Sequence, residues 1–172
     1  MAEDFNFEDE ERPDDLFSQS FGPEGVPEES PESREEREVK VVGVYEHREQ
    51  EKSQGTLYFV LLRDARNRSV LIWIGKFEAM AISLALDGAS ADRPITHDLL
   101  NNVINKMGGN VERILIDDLW NDIYYAKVSI TAADKTLDID SRPSDAIALG
   151  LRAKAPIYMI ESVLERAAVK EE

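Results

Sequence analysis

The chain has 172 residues, of which 42% are hydrophobic and 32% charged, and its formal net charge is −15 at pH 7. Because it contains no cysteine, disulfides, thiolate zinc sites, iron–sulfur clusters and cysteine nucleophiles are excluded, and two histidines are too few for a multi-histidine metal site. The sequence shows neither an apolar run of ~18 residues nor a charged-then-apolar leader. It therefore predicts a cytoplasmic protein without a membrane segment.

The negative charge is concentrated near the N-terminus. Residues 1–38 hold 15 acidic residues and three arginines, whereas the rest of the chain holds 20 acidic and 17 basic residues. A segment with this charge and few apolar residues cannot bury enough surface to offset its chain entropy, so we predict a disordered acidic tail over residues 1–37. It fits a solubilising tail, a nucleic-acid mimic that shields a basic groove, or a partner-binding arm.

Strands and helices follow the tail. Runs of β-branched and aromatic residues predict strands over residues 38–47, 55–64 and 69–75. Residues 76–88 are apolar nearly all round and predict a buried helix that ends at Gly88. The first half of the folded part is therefore expected to contain three strands and then a helix.

The second half continues with a similar order. Apolar residues at helical spacing predict an amphipathic helix with Thr96 as its N-cap and Gly108 and Gly109 as its stop. The remaining elements are strands over residues 111–120, 123–132 and 135–141, a helix to about Ala153, a strand over 156–160 and a helix over 161–168.

The two halves overlay at a fixed offset of 67 residues without a gap. Residues 57–61 fall on 124–128, and residues 78–82 fall on 145–149. A strand–strand–helix unit leaves an apolar face bare until its twin covers it. We therefore predict an α+β fold: a single compact domain over residues 38–168, with this duplicated unit, a mixed or antiparallel sheet packed on buried helices, and a short C-terminal tail over 169–172.

The stretch SRPSDAIALG, residues 141–150, differs from its counterpart in the first copy. Glu78 and Asp145 occupy the same place near the third position of a helix, where a carboxylate stabilises the helix start. Capping alone thus explains Asp145. It does not explain Arg142, because Gly75 stands at that position in the first copy and initiates a helix without an arginine.

Three segments carry a family resemblance. IGKFEAMAISLAL, RPITHDLL and DSRPSDAIALGLRAKAPIYM resemble, in this order, the signature segments of the bifunctional nuclease (BFN) domain family, over roughly residues 39–167. The resemblance implies an α+β domain, widespread in bacteria and present in plants, some members of which cut both RNA and DNA. It supplies no agreed catalytic set, so the site has to be argued from the residues.

Carboxylates near the same stretch suggest a metal site. Asp138 and Asp140 alternate along a strand, so both point to one face, and Asp145 follows at the helix start. Converging carboxylates bind Mg²⁺ or Mn²⁺ and so activate water, and Arg142 can bind a phosphate bidentately. This predicts Asp140, Arg142 and Asp145 as catalytic residues and Asp138, Asp140 and Asp145 as metal ligands. In the alternative interpretation, Asp138 and Asp140 are solvated strand residues, Asp145 caps its helix, and Arg142 forms an ion pair with one of these three aspartates.

Other residues also have two interpretations. His97 falls in the first turn of its helix, where it is either a general base or an ordinary exposed histidine. Aromatic strand residues could stack nucleobases, although they more often belong to the core; these are Trp73, Trp120, Tyr124 and Tyr125.

Two functions follow. The first is a cytoplasmic, divalent-metal-dependent nuclease for which RNA and DNA are transient substrates, because the basic residues are scattered among acidic ones and form no cationic face. The second is a non-catalytic interaction or regulatory module, a homo-oligomer whose bare sheet face pairs with a copy of itself or with a partner.

Overall fold

The computed structural model describes residues 34–47, 56–89, 91–133 and 135–169. These residues form one mixed eight-stranded sheet with four helices, which confirms the predicted single α+β domain. The elements in chain order are β1 (Glu36–His47), β2 (Leu57–Asp64), β3 (Ser69–Ile74), α1 (Lys76–Leu86), α2 (Thr96–Lys106), β4 (Gly109–Trp120), β5 (Ile123–Ala132), β6 (Lys135–Ser141), α3 (Pro143–Ala153), β7 (Ile157–Ile160), α4 (Glu161–Ala167) and β8 (Ala168–Val169).

The predicted tails lie mostly outside the described residues. Glu36 and Arg37, which the sequence places in the N-terminal tail, begin β1 because they pair with β7. Ala168 and Val169 form β8 because they pair with β3. Both differences arise from pairing with strands that are distant in the sequence.

The sheet is built from two similar units around a central strand. Its order is β6-β5-β4-β7-β1-β2-β3-β8, so β7 separates the unit β1–β2–β3 from the unit β4–β5–β6. β7 is parallel to β4 and antiparallel to β1, so the two units run in opposite directions, as copies related by a twofold axis through the sheet would. Each unit leads into a helix, α1 or α3, and these two helices pack against each other.

The ungapped overlay of the two units is wrong by one residue at one strand. Val60 pairs with Ile72 in the first unit, and Val128 pairs with Ile139 in the second. The offset of 67 therefore holds between β3 and β6, whereas β2 and β5 are offset by 68. Because a slip of one residue turns every side chain to the other sheet face, residues 57–61 do not correspond to 124–128.

Unequal hairpin turns cause this slip. In the β2–β3 turn the N–H of Asp64 donates to the carbonyl of Arg68 (3.1 Å), which leaves a three-residue loop with Asn67 at φ 63°. In the β5–β6 turn Ala132 pairs with Lys135, so only two residues connect the strands. Because the β2–β3 loop has one more residue than the β5–β6 loop, β2 lies one residue further before β3 in the sequence than β5 lies before β6.

The core lies between the sheet and the helices α1 and α3. Its fully buried side chains include Val60, Leu62, Ile82, Ile114 and Ile147. α3 lies close on β4: a Cβ atom at Gly150 would be 2.6 Å from Cγ1 of Ile114, so only glycine permits this approach without a shift. Within the described ranges, no helix is both long and apolar enough to cross a membrane.

Candidate active site

The ends of β3 and β6 meet where the chain turns into α1 and α3. Glu78 and Asp145 are the third residues of these helices, as the repeat predicts. Arg142, the residue before α3, bridges them: its Nε lies 2.7 Å from Oδ2 of Asp145, and its Nη1 lies 3.1 Å from Oε1 of Glu78. One arginine of the second unit thus connects the two copies.

α2 adds a histidine to this pair. Nε2 of His97 lies 3.1 Å from Oδ1 of Asp145, so each oxygen of this carboxylate contacts a different side chain. We call Glu78, His97, Arg142 and Asp145 the helix-start cluster. The contact with Arg142 agrees with both interpretations of Asp145, whereas the contact with His97 is additional to capping.

The position of His97 is set by the residue that follows it. Oδ2 of Asp98 accepts the backbone N–H of Ile95 (3.0 Å), and Oδ1 accepts Nε of Arg152 from α3 (2.6 Å). The prediction of Thr96 as N-cap is therefore wrong, because Ile95 takes that place and Thr96 is already helical. Because Arg152 is nearly buried, this bridge holds the start of α2, and with it His97, against α3.

The cluster has a defined charge state. Partial burial acts to raise the pKa of Asp145, but hydrogen bonds from Arg142 and His97 outweigh it and lower this pKa below its usual value. An ionised carboxylate can only accept, so Nε2 of His97 carries the hydrogen in their contact. In the tautomer with this hydrogen, Nδ1 is the acceptor nitrogen of the ring.

The cluster is open to solvent at its arginine. The Arg142 side chain is 67% exposed, whereas that of His97 is only 14% exposed. An exposed guanidinium can bind phosphate oxygens while its Nε stays on Asp145. A phosphate held there would lie near the carboxylate that also contacts His97.

The other predicted site residues lie on a different face of the sheet. Ile139 pairs with Val128 on the face that α3 covers, so its neighbours Asp138 and Asp140 point to the opposite face. Oδ1 of Asp138 accepts the hydroxyl of Ser129 (2.6 Å). The structure therefore brings Asp138 and Asp140 together but separates them from Asp145 and Arg142.

Lys127 occupies the centre of this second polar face. Its Nζ lies 2.6 Å from Oδ2 of Asp117, and the hydrogen bond with Asp117, together with the charges of Asp138 and Asp140, raises the pKa of Lys127. In the part of the chain that the structure describes, no three histidine, cysteine, aspartate or glutamate side chains are grouped to hold a metal ion. The predicted metal set of Asp138, Asp140 and Asp145 is thus not assembled there, and a metal requirement stays a prediction.

Two members of the helix-start cluster had weak signals in the sequence. Glu78 was visible only as the counterpart of Asp145 in the repeat. His97 had one of two open interpretations, and nothing local shows that it reaches a residue 48 positions away. All four residues of the cluster lie at or next to a helix start. For Glu78, the repeat overlay with Asp145 was the signal that pointed to this position.

Comparisons with known proteins identify the family. A model described as the bifunctional nuclease domain matches residues 60–172. An uncharacterised protein of Mycobacterium tuberculosis is 40% identical over 131 residues, which cover 76% of this chain and 75% of that protein.

Plant proteins match less closely. Bifunctional nuclease 1 of Oryza sativa subsp. japonica is 28% identical over 105 residues, 58% of this chain and 32% of its own length. Bifunctional nuclease 2 of Arabidopsis thaliana is 24% identical over 101 residues, 57% of this chain and 31% of its own length. The family match includes every residue of the helix-start cluster and confirms the resemblance seen in the sequence segments. The chain therefore belongs to the bifunctional nuclease domain family.

Proposed function

We propose that the protein is a nuclease that hydrolyses phosphodiester bonds in RNA and DNA at the helix-start cluster. The observation that carries this proposal is the ionised Asp145, which contacts His97 through one oxygen and the exposed Arg142 through the other. Family membership and the names of the plant relatives support nucleic acid as the substrate. A cytoplasmic location is part of the same proposal.

Each residue has a role in this reaction. Nδ1 of His97 takes the proton of an attacking water, whose oxygen forms a bond to phosphorus while the bond from phosphorus to the leaving sugar oxygen breaks. The leaving oxygen takes a proton from solvent. Asp145 orients the imidazole and stabilises the imidazolium, and Arg142 binds the non-bridging phosphate oxygens, where negative charge accumulates. Glu78 holds Arg142 in place.

The requirement for Mg²⁺ or Mn²⁺ is a separate hypothesis. Its predicted ligands Asp138 and Asp140 lie apart from Asp145, on the sheet face that also carries Lys127. Cleavage that persists in EDTA would contradict the metal requirement and leave the helix-start cluster as proposed. Cleavage that needs Mn²⁺ and is lost in Asp138→Asn would place the chemistry on the Lys127 face instead.

The direct test uses purified protein with labelled single-stranded RNA and DNA, in EDTA, Mg²⁺ or Mn²⁺. We expect His97→Ala and Asp145→Asn to lower the cleavage rate by about 100-fold or more, because each removes the oriented base. Asp118→Asn is the matched control, since Asp118 is an exposed carboxylate of β4 that contacts Arg166 and the backbone N–H of Leu119, away from the helix-start cluster. Equal rates for wild type and His97→Ala would contradict the proposal and indicate a contaminating nuclease.

A second candidate function is a homo-oligomeric interaction module. It is favoured by α2, where exposed apolar residues follow the spacing of one helix face: Leu99, Leu100, Val103 and Met107. Sedimentation at micromolar concentration distinguishes the two. A stable dimer that becomes monomeric in Met107→Lys, without any cleavage by the wild type, would favour the module.

A further inference from the structure

The outer face of the first three-stranded unit carries a row of aromatic rings. Tyr45 of β1 pairs with Phe59 of β2, which pairs with Trp73 of β3. The centroids of Tyr45 and Phe59 are 5.5 Å apart with the rings 21° from parallel, and those of Phe59 and Trp73 are 5.2 Å apart in an edge-to-face arrangement. The ring of His47 lies 6.0 Å from that of Trp73. We call Tyr45, Phe59 and Trp73 the aromatic row.

The aromatic row points away from the core. Val60 is fully buried, so its neighbour Phe59 faces the opposite side of the sheet. Trp73 is 56% exposed and Tyr45 is 43% exposed, although large aromatic side chains usually bury most of their surface. Exposed aromatic surface of this extent indicates a binding surface.

The same face carries Lys40 and Arg63 at one end, beside the exposed carboxylate of Glu38. Lys40 and Arg63 are cross-strand partners, and Arg63 lies on the same face of β2 as Phe59 because the two are four residues apart. Lys40 is exposed, and Nε of Arg63 donates to the hydroxyl of Ser69 (3.0 Å). Aromatic rings on neighbouring strands stack bases and adjacent cations neutralise phosphates in many sheets that bind single-stranded nucleic acid.

The row lies on the sheet face opposite to the helices, as Asp138 and Asp140 do in the second unit. Trp73 lies two residues before Gly75, at the end of β3 that continues into α1 and Glu78. At the equivalent position of the second unit stands Asp140, on a polar face with Lys127. The copy also exposes Trp120 and Tyr125 on this face, but it has no ring on its last strand, where Asp140 stands, so a row of rings across three strands occurs on the first unit.

We propose that this face binds single-stranded nucleic acid, with successive bases stacked on the aromatic row and Lys40 and Arg63 toward the phosphates. The choice of ligand rests on the proposed nuclease function, but the binding itself requires no cleavage. The platform holds the strand, which has to pass around the end of β3 to reach the helix-start cluster on the other side of the sheet. Duplexes bind weakly in comparison, because their bases are already paired and stacked.

Tryptophan fluorescence tests this proposal directly. The chain has two tryptophans, so Trp120→Phe leaves Trp73 as the single reporter in the full-length protein. We expect short oligothymidylate to quench it and the same length of duplex not to. In that background Phe59→Ala or Tyr45→Ala weakens binding about tenfold, the effect of losing one stacked base. Tyr125→Ala, which removes an exposed aromatic ring of the second unit, is the matched control and leaves affinity unchanged.

Salt dependence tests the basic end. Lys40→Ala is expected to lower the slope of the logarithm of affinity against the logarithm of salt concentration by about 0.7, the contribution of one phosphate contact on a single strand. An unchanged slope together with unchanged affinity for Phe59→Ala would overturn the proposal. So would a dimer that Tyr45→Ala dissociates while oligothymidylate causes no quenching, because the face would then bind protein.

The outcomes separate this inference from the nuclease function. Quenching by a wild-type protein that cleaves nothing would overturn the nuclease function and leave the platform. Cleavage with a KM that Phe59→Ala does not change would overturn the platform and leave the nuclease function. A His97→Ala variant that binds normally without cleaving would support both.

Discussion

Two clusters of ion pairs in this protein use similar residues but leave different atoms open to solvent. Glu161, at the start of α4, accepts Nη1 and Nη2 of Arg68 (2.8 and 3.0 Å) and Nε of Arg37 (2.8 Å), and its side chain is only 9% exposed. In the helix-start cluster Arg142 is 67% exposed. Arginines whose N–H donors bind a buried carboxylate hold segments of the fold together, whereas an arginine with exposed donors can still bind a substrate.

The Glu161 cluster joins distant segments. Its five residues, Arg37, Asp64, Arg66, Arg68 and Glu161, come from β1, the end of β2, the following turn and α4. It therefore fixes the C-terminal segment to the first unit. The helix-start cluster joins α1, α2 and α3, and α3 contacts both other helices. Changes in the two clusters should accordingly separate loss of stability from loss of activity.

Glu161→Gln is expected to have the largest effect on stability. It removes the charge of one of the two carboxylates that pair with Arg68, the other being Asp64, in a largely buried place, so the free energy of unfolding should fall by about 2–4 kcal/mol. Urea denaturation followed by circular dichroism measures it. Glu165→Gln, an exposed carboxylate of the same helix, serves as control. A change no larger than that of the control would show that the cluster does not stabilise the fold.

Acid should reproduce part of this loss in the wild type. Hydrogen bonds from Arg68 and then from Arg37 lower the pKa of Glu161 to about 2, below the ordinary value of 4.5. The unfolded chain therefore binds this proton more tightly, and stability that is complete above pH 4.5 is lost as pH falls toward 2. With screening at the exposed side of the cluster, the contribution is about 1–2 kcal/mol. The urea midpoints of wild type and of Glu161→Gln between pH 5 and pH 2 measure this contribution. If the two midpoints fell by the same amount with pH, the contribution of Glu161 would be contradicted.

Arg142→Lys should change stability least. Its ion pairs are exposed, so the free energy of unfolding should shift by less than ~1 kcal/mol. Cleavage should nevertheless fall about tenfold or more, because lysine cannot hold Asp145 and a phosphate with one planar group. Arg166→Lys, at another half-exposed arginine, controls for the loss of a guanidinium. A melting temperature that drops by many degrees would show that Arg142 is structural.

Much of the fold was predictable from local patterns. Alternating and helical apolar periodicity indicated the strands and helices that the structure contains, apart from β8. The correspondence between β3 and β6, and between α1 and α3, followed from the repeat. These features depend on residues near one another in the chain, which is why one sequence suffices to predict them.

The candidate site was predictable only in part. Arg142 and Asp145 stood out because they are three residues apart at a helix start, and their contact is local. The sequence predicts that Asp138 and Asp140 lie beside Arg142 and Asp145. In the described structure they do not, because alternate side chains of a strand point to opposite faces, and these two point to the face that α3 does not cover.

The sequence by itself determined the order of the elements, the duplicated unit, the excess of acidic residues and the family segments. Only the tertiary structure decided that β7 lies between the two units, that β2 and β5 differ by one residue in register, and that His97 contacts Asp145 across 48 residues. The physical reason is the range of the interactions. Helix and strand periodicity is set by neighbouring residues, whereas strand order and side-chain convergence follow from burying apolar faces that are far apart in the chain.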